Sequence, residues 1–148
     1  MAENHALTEI EKRTGFLVYR TARGMKKMLD FELNKYSVSS SQYTVLNTLM
    51  EDDGLSLSEI GKRVFIDKPA VTGIADRMEK DGLVERRRTS QDRRVIQLFM
   101  TKKGRALAEK TEGIATQIDQ KLVNVLTPAE VSQFRHMLNR IWKSASGL

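Results

Sequence analysis

Four times along this chain a Ser or Thr is followed three residues later by Glu or Gln: Thr8 with Glu11, Ser39 with Gln42, Ser56 with Glu59, and Thr127 with Glu130. Each pair can close a capping box, in which two orphan amides at a helix start are satisfied reciprocally. At two of these starts an apolar residue precedes the cap and meets another one turn into the helix, Leu55 with Ile60 and Leu126 with Val131. Pro128 falls at the first helical position, where its missing N–H costs nothing. These signals predict helices near 8–34, 40–51, 56–64, 68–80, 102–125 and 128–145. Between 82 and 101 the pattern changes. Gly82 stands where a left-handed C-cap is expected, and Leu83–Arg88 and Val95–Met100 are short β-prone runs joined by Thr89–Arg94. Ile96, Leu98 and Met100 alternate with Gln97 and Phe99, so one strand face suits a core. The expected fold class is therefore mainly α, about six helices, with a small antiparallel β-hairpin. There is no internal repeat and no low-complexity segment.

The predicted helices at 56–64 and 68–80 are separated only by Phe65, Ile66 and Asp67, a connection short enough for a helix-turn-helix. Asp67 is placed to cap the second. Val71, Ile74, Ala75 and Met78 follow i, i+3, i+4, i+7 spacing and form one buried stripe. Geometry then turns Lys68, Thr72, Gly73, Asp76, Arg77 and Lys80 outward, with Pro69 and Ala70 near the start. The charge is concentrated in the same stretch. The chain carries a net charge of +6, yet residues 60–105 hold 13 Lys/Arg against 6 Asp/Glu, and the remainder 12 against 13. A local basic footprint on a neutral frame suits a polyanion. Arg86, Arg87 and Arg88 end the first strand of the hairpin and Arg93 and Arg94 begin the second. Five arginines around a short tip repel one another unless a polyanion relieves them.

The helix face fits a DNA major groove, with its first turn nearest the base edges. Lys68 reaches a guanine edge or a phosphate. The Thr72 hydroxyl bonds bases of several kinds, and its methyl or that of Ala70 meets a thymine methyl. Gly73 permits close approach, Arg77 is placed for a phosphate, and Asp76 orients a neighbouring Arg or Lys. The hairpin tip suits a narrow minor groove, with Asp92, the only acid in the tip, aiming an arginine.

The chain length is that of one domain with a real core. Cysteine is absent, which removes disulfide, thiolate-metal and thiol-redox chemistry, and two isolated histidines, His5 and His136, do not make a metal site. No cofactor is expected. No Gly-rich phosphate loop or nucleophile motif is present, so the chain does not read as an enzyme. It has no run of roughly 18 apolar residues and its first residues, MAENHALTEIEK, lack an apolar leader, so the expected location is cytoplasmic.

The run from Asp67 through Glu79-Lys-Asp-Gly82-Leu-Val-Glu-Arg86, then Asp92-Arg-Arg94 and Met100-Thr101-Lys-Lys-Gly104, resembles the MarR family of bacterial winged helix-turn-helix regulators. Met78 and Met100 stand where leucine is commoner, both apolar exchanges. The resemblance implies a single domain over 1–148, with a DNA-binding lobe at 35–102 and dimerisation helices at 1–34 and 103–148. It implies a homodimer on a pseudo-palindromic operator, acting as a repressor. Leu17, Met25, Met28 and Leu29, with Phe134, Leu138, Ile141 and Trp142, suit the dimer interface; periodicity alone leaves intrachain core equally open. The DNA-contacting set implied is Ser40, Gln42, Lys68, Pro69, Ala70, Thr72, Gly73, Arg77, Arg86, Arg88, Asp92, Arg93 and Arg94. Among these, Ser40 and Gln42 touch phosphates at a helix start, and Arg94 enters the minor groove with Asp92 positioning it. Relatives that answer small aromatic or phenolic effectors bind them between the dimer helices and the reading head. Phe16, Tyr19, Arg20 and Tyr43 would form such a wall, and core aromatics with a surface arginine is the alternative. A basic RNA- or ribosome-associated module without ligand control is the competing function. It is disfavoured because Phe65 and Phe99 are the only aromatics of the basic segment.

Overall fold

A computed structural model describes residues 6–147 of the chain, so His5 lies outside the described residues. It contains helices α1 (Thr14–Leu33), α2 (Ser40–Glu51), α3 (Leu57–Val64), α4 (Lys68–Lys80), α5 (Lys102–Thr111), α6 (Ile114–Val123) and α7 (Pro128–Ser146), and strands β1 (Leu55–Ser56), β2 (Val84–Arg88) and β3 (Ile96–Met100). A short 3-10 turn, Asn34–Tyr36, follows α1. The described chain falls into two compact units, residues 1–114 and 115–148.

The capping boxes close as expected at Ser39, Ser56 and Thr127. The box at Thr8 also closes, with Thr8 N–H donating to Glu11 Oε2 at 2.8 Å and Glu11 N–H to Thr8 Oγ1 at 3.3 Å. It organises only a local turn, however. Arg13 is extended and offers no side-chain cap, so the predicted helix at 8–34 begins at Thr14 instead. The predicted helix at 102–125 is likewise interrupted. Glu112 leaves helical geometry and Gly113 takes φ +84°, a left-handed conformation that ends one helix before the next starts.

The core of the first unit is built from one face of each short element. Leu46 and Leu49 of α2, Ile60 of α3, Val71, Ile74, Ala75 and Met78 of α4, Leu83, Val84 and Leu98 of the hairpin, and Ala108 of α5 form one buried cluster. Each larger member gains roughly 1.5–3 kcal/mol by leaving water. The stripe expected on α4 is therefore its buried face. Gly82 ends α4 in a Schellman arrangement: at φ +72° its N–H reaches Glu79 O at 3.0 Å, and Leu83 N–H reaches Met78 O at 2.9 Å.

The predicted hairpin forms, with Val84 opposite Met100 and Arg88 opposite Ile96. A third strand joins it. Leu55 pairs with Leu98 and Ser56 with Gln97, giving the antiparallel order β1-β3-β2. Two residues are too few to show alternation, so this strand has no periodic signature in the sequence. α5 packs down onto the sheet end through Gly104, where an added Cβ would collide with the Leu83 carbonyl oxygen. Replacing Gly104 by Ala forces backbone apart in a packed region. We expect Gly104→Ala to lower unfolding stability by about 1–3 kcal/mol in urea denaturation, and wild-type stability would show that α5 does not depend on this approach.

Candidate nucleic-acid interface

Helix α4 opens on Asp67, whose Oδ1 accepts the Ala70 N–H at 2.8 Å. Its outward side carries Lys68, Pro69, Ala70, Asp76, Arg77 and Lys80 exposed, with Thr72 and Gly73 half-buried. The Thr72 hydroxyl donates to Lys68 O at 2.9 Å, which fixes its rotamer and leaves oxygen lone pairs outward. Gly73 faces open space: an added Cβ meets nothing within 4 Å.

The five arginines of the hairpin divide by task. Arg86 turns inward with its side chain 22% exposed, and its guanidinium binds Asp76 Oδ1 at 2.5 Å, Glu79 Oε1 at 3.4 Å and Thr72 O at 3.4 Å. Asp76 thus orients an arginine, as its position on α4 suggested, and the arginine is Arg86. This residue ties β2 to α4, and both terminal guanidinium nitrogens are engaged within the fold. Arg87 pairs with Glu85 and lies over the Phe99 ring, 4.4 Å from its centroid. Arg88 donates across the tip to Arg93 O at 3.0 Å. Arg93 and Arg94 project outward, with the Arg94 side chain 95% exposed.

The tip is held by its own hydrogen bonds. Thr89 Oγ1 donates to Asp92 O at 2.7 Å and accepts the Asp92 N–H at 2.9 Å. Asp92 Oδ1 accepts the Arg94 N–H at 2.9 Å and lies 3.5 Å from Arg94 Nε. One carboxylate therefore orders both the backbone and the side chain of the outermost arginine. Lys68 and Arg94, from α4 and the wing, line one pocket of about 220 Å³, so the two basic parts are neighbours in space.

The start of α2 is more enclosed than its expected phosphate contacts suggest. Ser40 and Gln42 are 7% and 8% exposed. The Ser40 N–H donates to Asp30 Oδ1 of α1 at 3.0 Å. Burial alone would raise the Asp30 carboxyl, but hydrogen bonds from Lys26 and Ser40 outweigh it and hold it below the usual aspartate range. The Gln42 carboxamide accepts from Ser39 N–H at 3.1 Å and donates to Asp81 Oδ2, beyond the end of α4, at 3.3 Å.

Of the expected effector residues, Phe16, Tyr19 and Arg20 share one turn of α1 and Tyr43 lies on α2. Phe16 is half-buried beneath the Arg20 guanidinium, 5.8 Å from the ring centroid, while Tyr43 is buried. Tyr19 lines an open groove along α1 with Arg23, Lys26, Lys27 and Asp30, which Phe16, Arg20 and Tyr43 do not line. A second pocket, of about 410 Å³, joins Tyr36 and Ser37 to Asp81, Lys103, Leu107 and Lys110. No sequence signal announces it, because its walls come from three segments remote in the chain and no local pattern links them.

The ion cluster on Arg86 has a measurable signature. We expect Arg86→Ala to cost roughly 1–2 kcal/mol, the carboxylates being partly solvated, and Arg86→Lys to recover little, because one ammonium cannot span both carboxylates and a carbonyl. Thermal denaturation of the two variants checks this, and full recovery by lysine would reduce the cluster to simple charge pairing.

The model of the MarR family matches residues 38–96. The chain is 35% identical over 103 residues to the HTH-type transcriptional regulator TtmR of Methylorubrum extorquens (strain PA1), covering 70% of this chain and 53% of that protein, so it spans about half the length of that relative. It is 31% identical over 106 residues to the organic hydroperoxide resistance transcriptional regulator of Bacillus subtilis (strain 168), covering 72% of each. Among solved structures, the S. aureus MepR–DNA complex superposes with a TM-score of 0.85 at 26% identity, covering 90% of this chain and 99% of that one. Bordetella bronchiseptica BpsR, whose DNA binding is regulated by 6-hydroxynicotinic acid, superposes with a TM-score of 0.84 at 25% identity, covering 91% and 96%. A buried α4 stripe, a Schellman turn at Gly82, an arginine-tipped wing and these likenesses agree, and the chain belongs to the MarR family.

Proposed function

We propose that the protein is a transcriptional regulator that binds specific duplex DNA as a homodimer, acting as a repressor on a pseudo-palindromic operator in the cytoplasm. It works by binding and not by catalysis. The observation that carries this reading is the shared pocket of Lys68 and Arg94, which brings the start of α4 and the wing tip to one side of the fold. On this reading Pro69, Ala70, Thr72 and Gly73 face the bases of the major groove, Lys68 stands at its edge within reach of a guanine or a phosphate, and Arg77 meets a phosphate. Arg93 and Arg94 reach the adjacent minor groove, with Asp92 aiming Arg94, while Arg88 braces the tip and Ser40 and Gln42 bring the α2 start toward the backbone. Single-stranded nucleic acid is the poorer fit, because the Phe99 ring already lies under Arg87 and one exposed ring, Phe65, does not make a stacking platform.

Support for the dimer comes from α7, where Phe134, Met137, Leu138, Ile141 and Trp142 recur at helical spacing and are each at least 36% exposed. A continuous apolar stripe left to solvent suits a second copy, and two copies would set the α4 helices about 34 Å apart, one DNA turn. A small aromatic or phenolic anion that releases DNA would meet Phe16, Tyr19, Arg20 and Tyr43. The regulated DNA binding of BpsR supports an effector of this class.

Two measurements test the reading. Because Arg94 is solvent-exposed, Arg94→Ala should leave the melting temperature unchanged while weakening duplex binding and lowering the salt slope of log K by about 1; unchanged affinity and slope would remove the wing from the interface. Sedimentation should find a dimer at micromolar concentration for the wild type and a monomer with lost tight operator binding for Ile141→Glu, and a wild-type monomer would contradict the two-fold arrangement.

A further inference from the structure

The pocket that Lys68 and Arg94 share has a third wall. The first turn of α3 contributes Ser56, Leu57 and Ser58, and the root of β3 closes the back with Val95 and Ile96. Neither carboxylate nor aromatic side chain lines it. The acids nearest in sequence are each turned onto backbone amides: Glu59 Oε2 accepts Ser56 N–H at 2.8 Å, Asp67 Oδ1 accepts Ala70 N–H at 2.8 Å, and Asp92 Oδ1 accepts Arg94 N–H at 2.9 Å. The Ser58 hydroxyl and the Lys68 ammonium have no hydrogen-bond or carboxylate partner among the described residues, and both are exposed. A volume of about 220 Å³ is too small for a drug-sized ligand and suits one tetrahedral oxyanion with its water.

Resting on the DNA-binding reading above, we propose that this pocket seats a single backbone phosphate of the duplex, with the Ser58 hydroxyl and the Lys68 ammonium as its donors and the stem of Arg94 as its outer wall. Serine hydroxyls and lysines are ordinary phosphate partners. The phosphate then bridges α3, α4 and the wing. Arg94 borders the seat with its side chain largely exposed, so its contact with the groove is a separate event.

Ser58→Glu tests the seat without threatening the fold, because an acid in the first turn of a helix is favourable. The full-length protein is titrated against an operator selected from a random-duplex library and against random-sequence duplex, over a range of salt. We expect on the order of tenfold weaker binding to both duplexes and a salt slope smaller by about 1. A scan of neutral methylphosphonate linkages along the operator should find one position per half-site that weakens the wild type and does not weaken Ser58→Glu, where it instead relieves charge repulsion. Wild-type affinity and slope in Ser58→Glu, a loss confined to the operator, or a scan in which every position weakens both proteins alike would each overturn the phosphate seat while leaving DNA binding intact. Failure of the wild type to bind any duplex would instead overturn the reading on which the seat rests.

Discussion

One amphipathic helix sets the terms for the whole first unit. α4 has to bury Val71, Ile74, Ala75 and Met78, all close to fully enclosed, against the core. Helical geometry then leaves no freedom, because the residues between them must point away. The reading surface is thus the complement of a packing requirement. The other elements are arranged around that constraint. α3 and α2 supply the apolar floor, Asp67 fixes where α4 starts, and the Gly82 turn fixes where it stops and sends the chain into the hairpin.

The wing is fixed to this helix by charge. Arg86 leaves the basic tip and closes on Asp76 and Glu79 of α4, which accounts for acids on an otherwise basic helix face. Their negative charge is paired with Arg86 even though both side chains stay exposed. A ring of arginines that looks uniform in sequence becomes a graded set: one structural, one stacked on Phe99, one bracing the tip, two outermost and exposed. Such division lets a strongly basic hairpin hold its shape before any polyanion arrives.

The parts legible in the sequence are those whose cause is local. Capping boxes act over three residues, the α4 stripe over eight, and the Gly82 turn over six, and each is present. The hairpin is legible from its alternation. The features that escape a sequence reading depend on partners far away in the chain. Gln42 meets Asp81 across 39 residues, and β1 is a strand only because Leu98 and Gln97 lie beside it. The break at Glu112 and Gly113 escapes because the apolar period around it still permits one long helix. The outward residues of α4 can be named from periodicity, whereas the commitment of Arg86 to Asp76 and Glu79 cannot, since sequence offers several acids of equal claim. Tyr19 and Tyr43 show the same limit, since an aromatic side chain has no direction until the fold assigns one.

Gly73 sits in the middle of the outward face with nothing near the place where a side chain would begin. A glycine inside a helix costs about 1 kcal/mol relative to alanine, and here no packing requirement explains it. The fold therefore leaves room for a Cβ at this position. On the proposed reading of α4 as the base-reading helix, sequence preference and stability vary independently there, which makes Gly73 a point at which copies of this chain can diverge to different DNA targets without first acquiring compensating changes in the core.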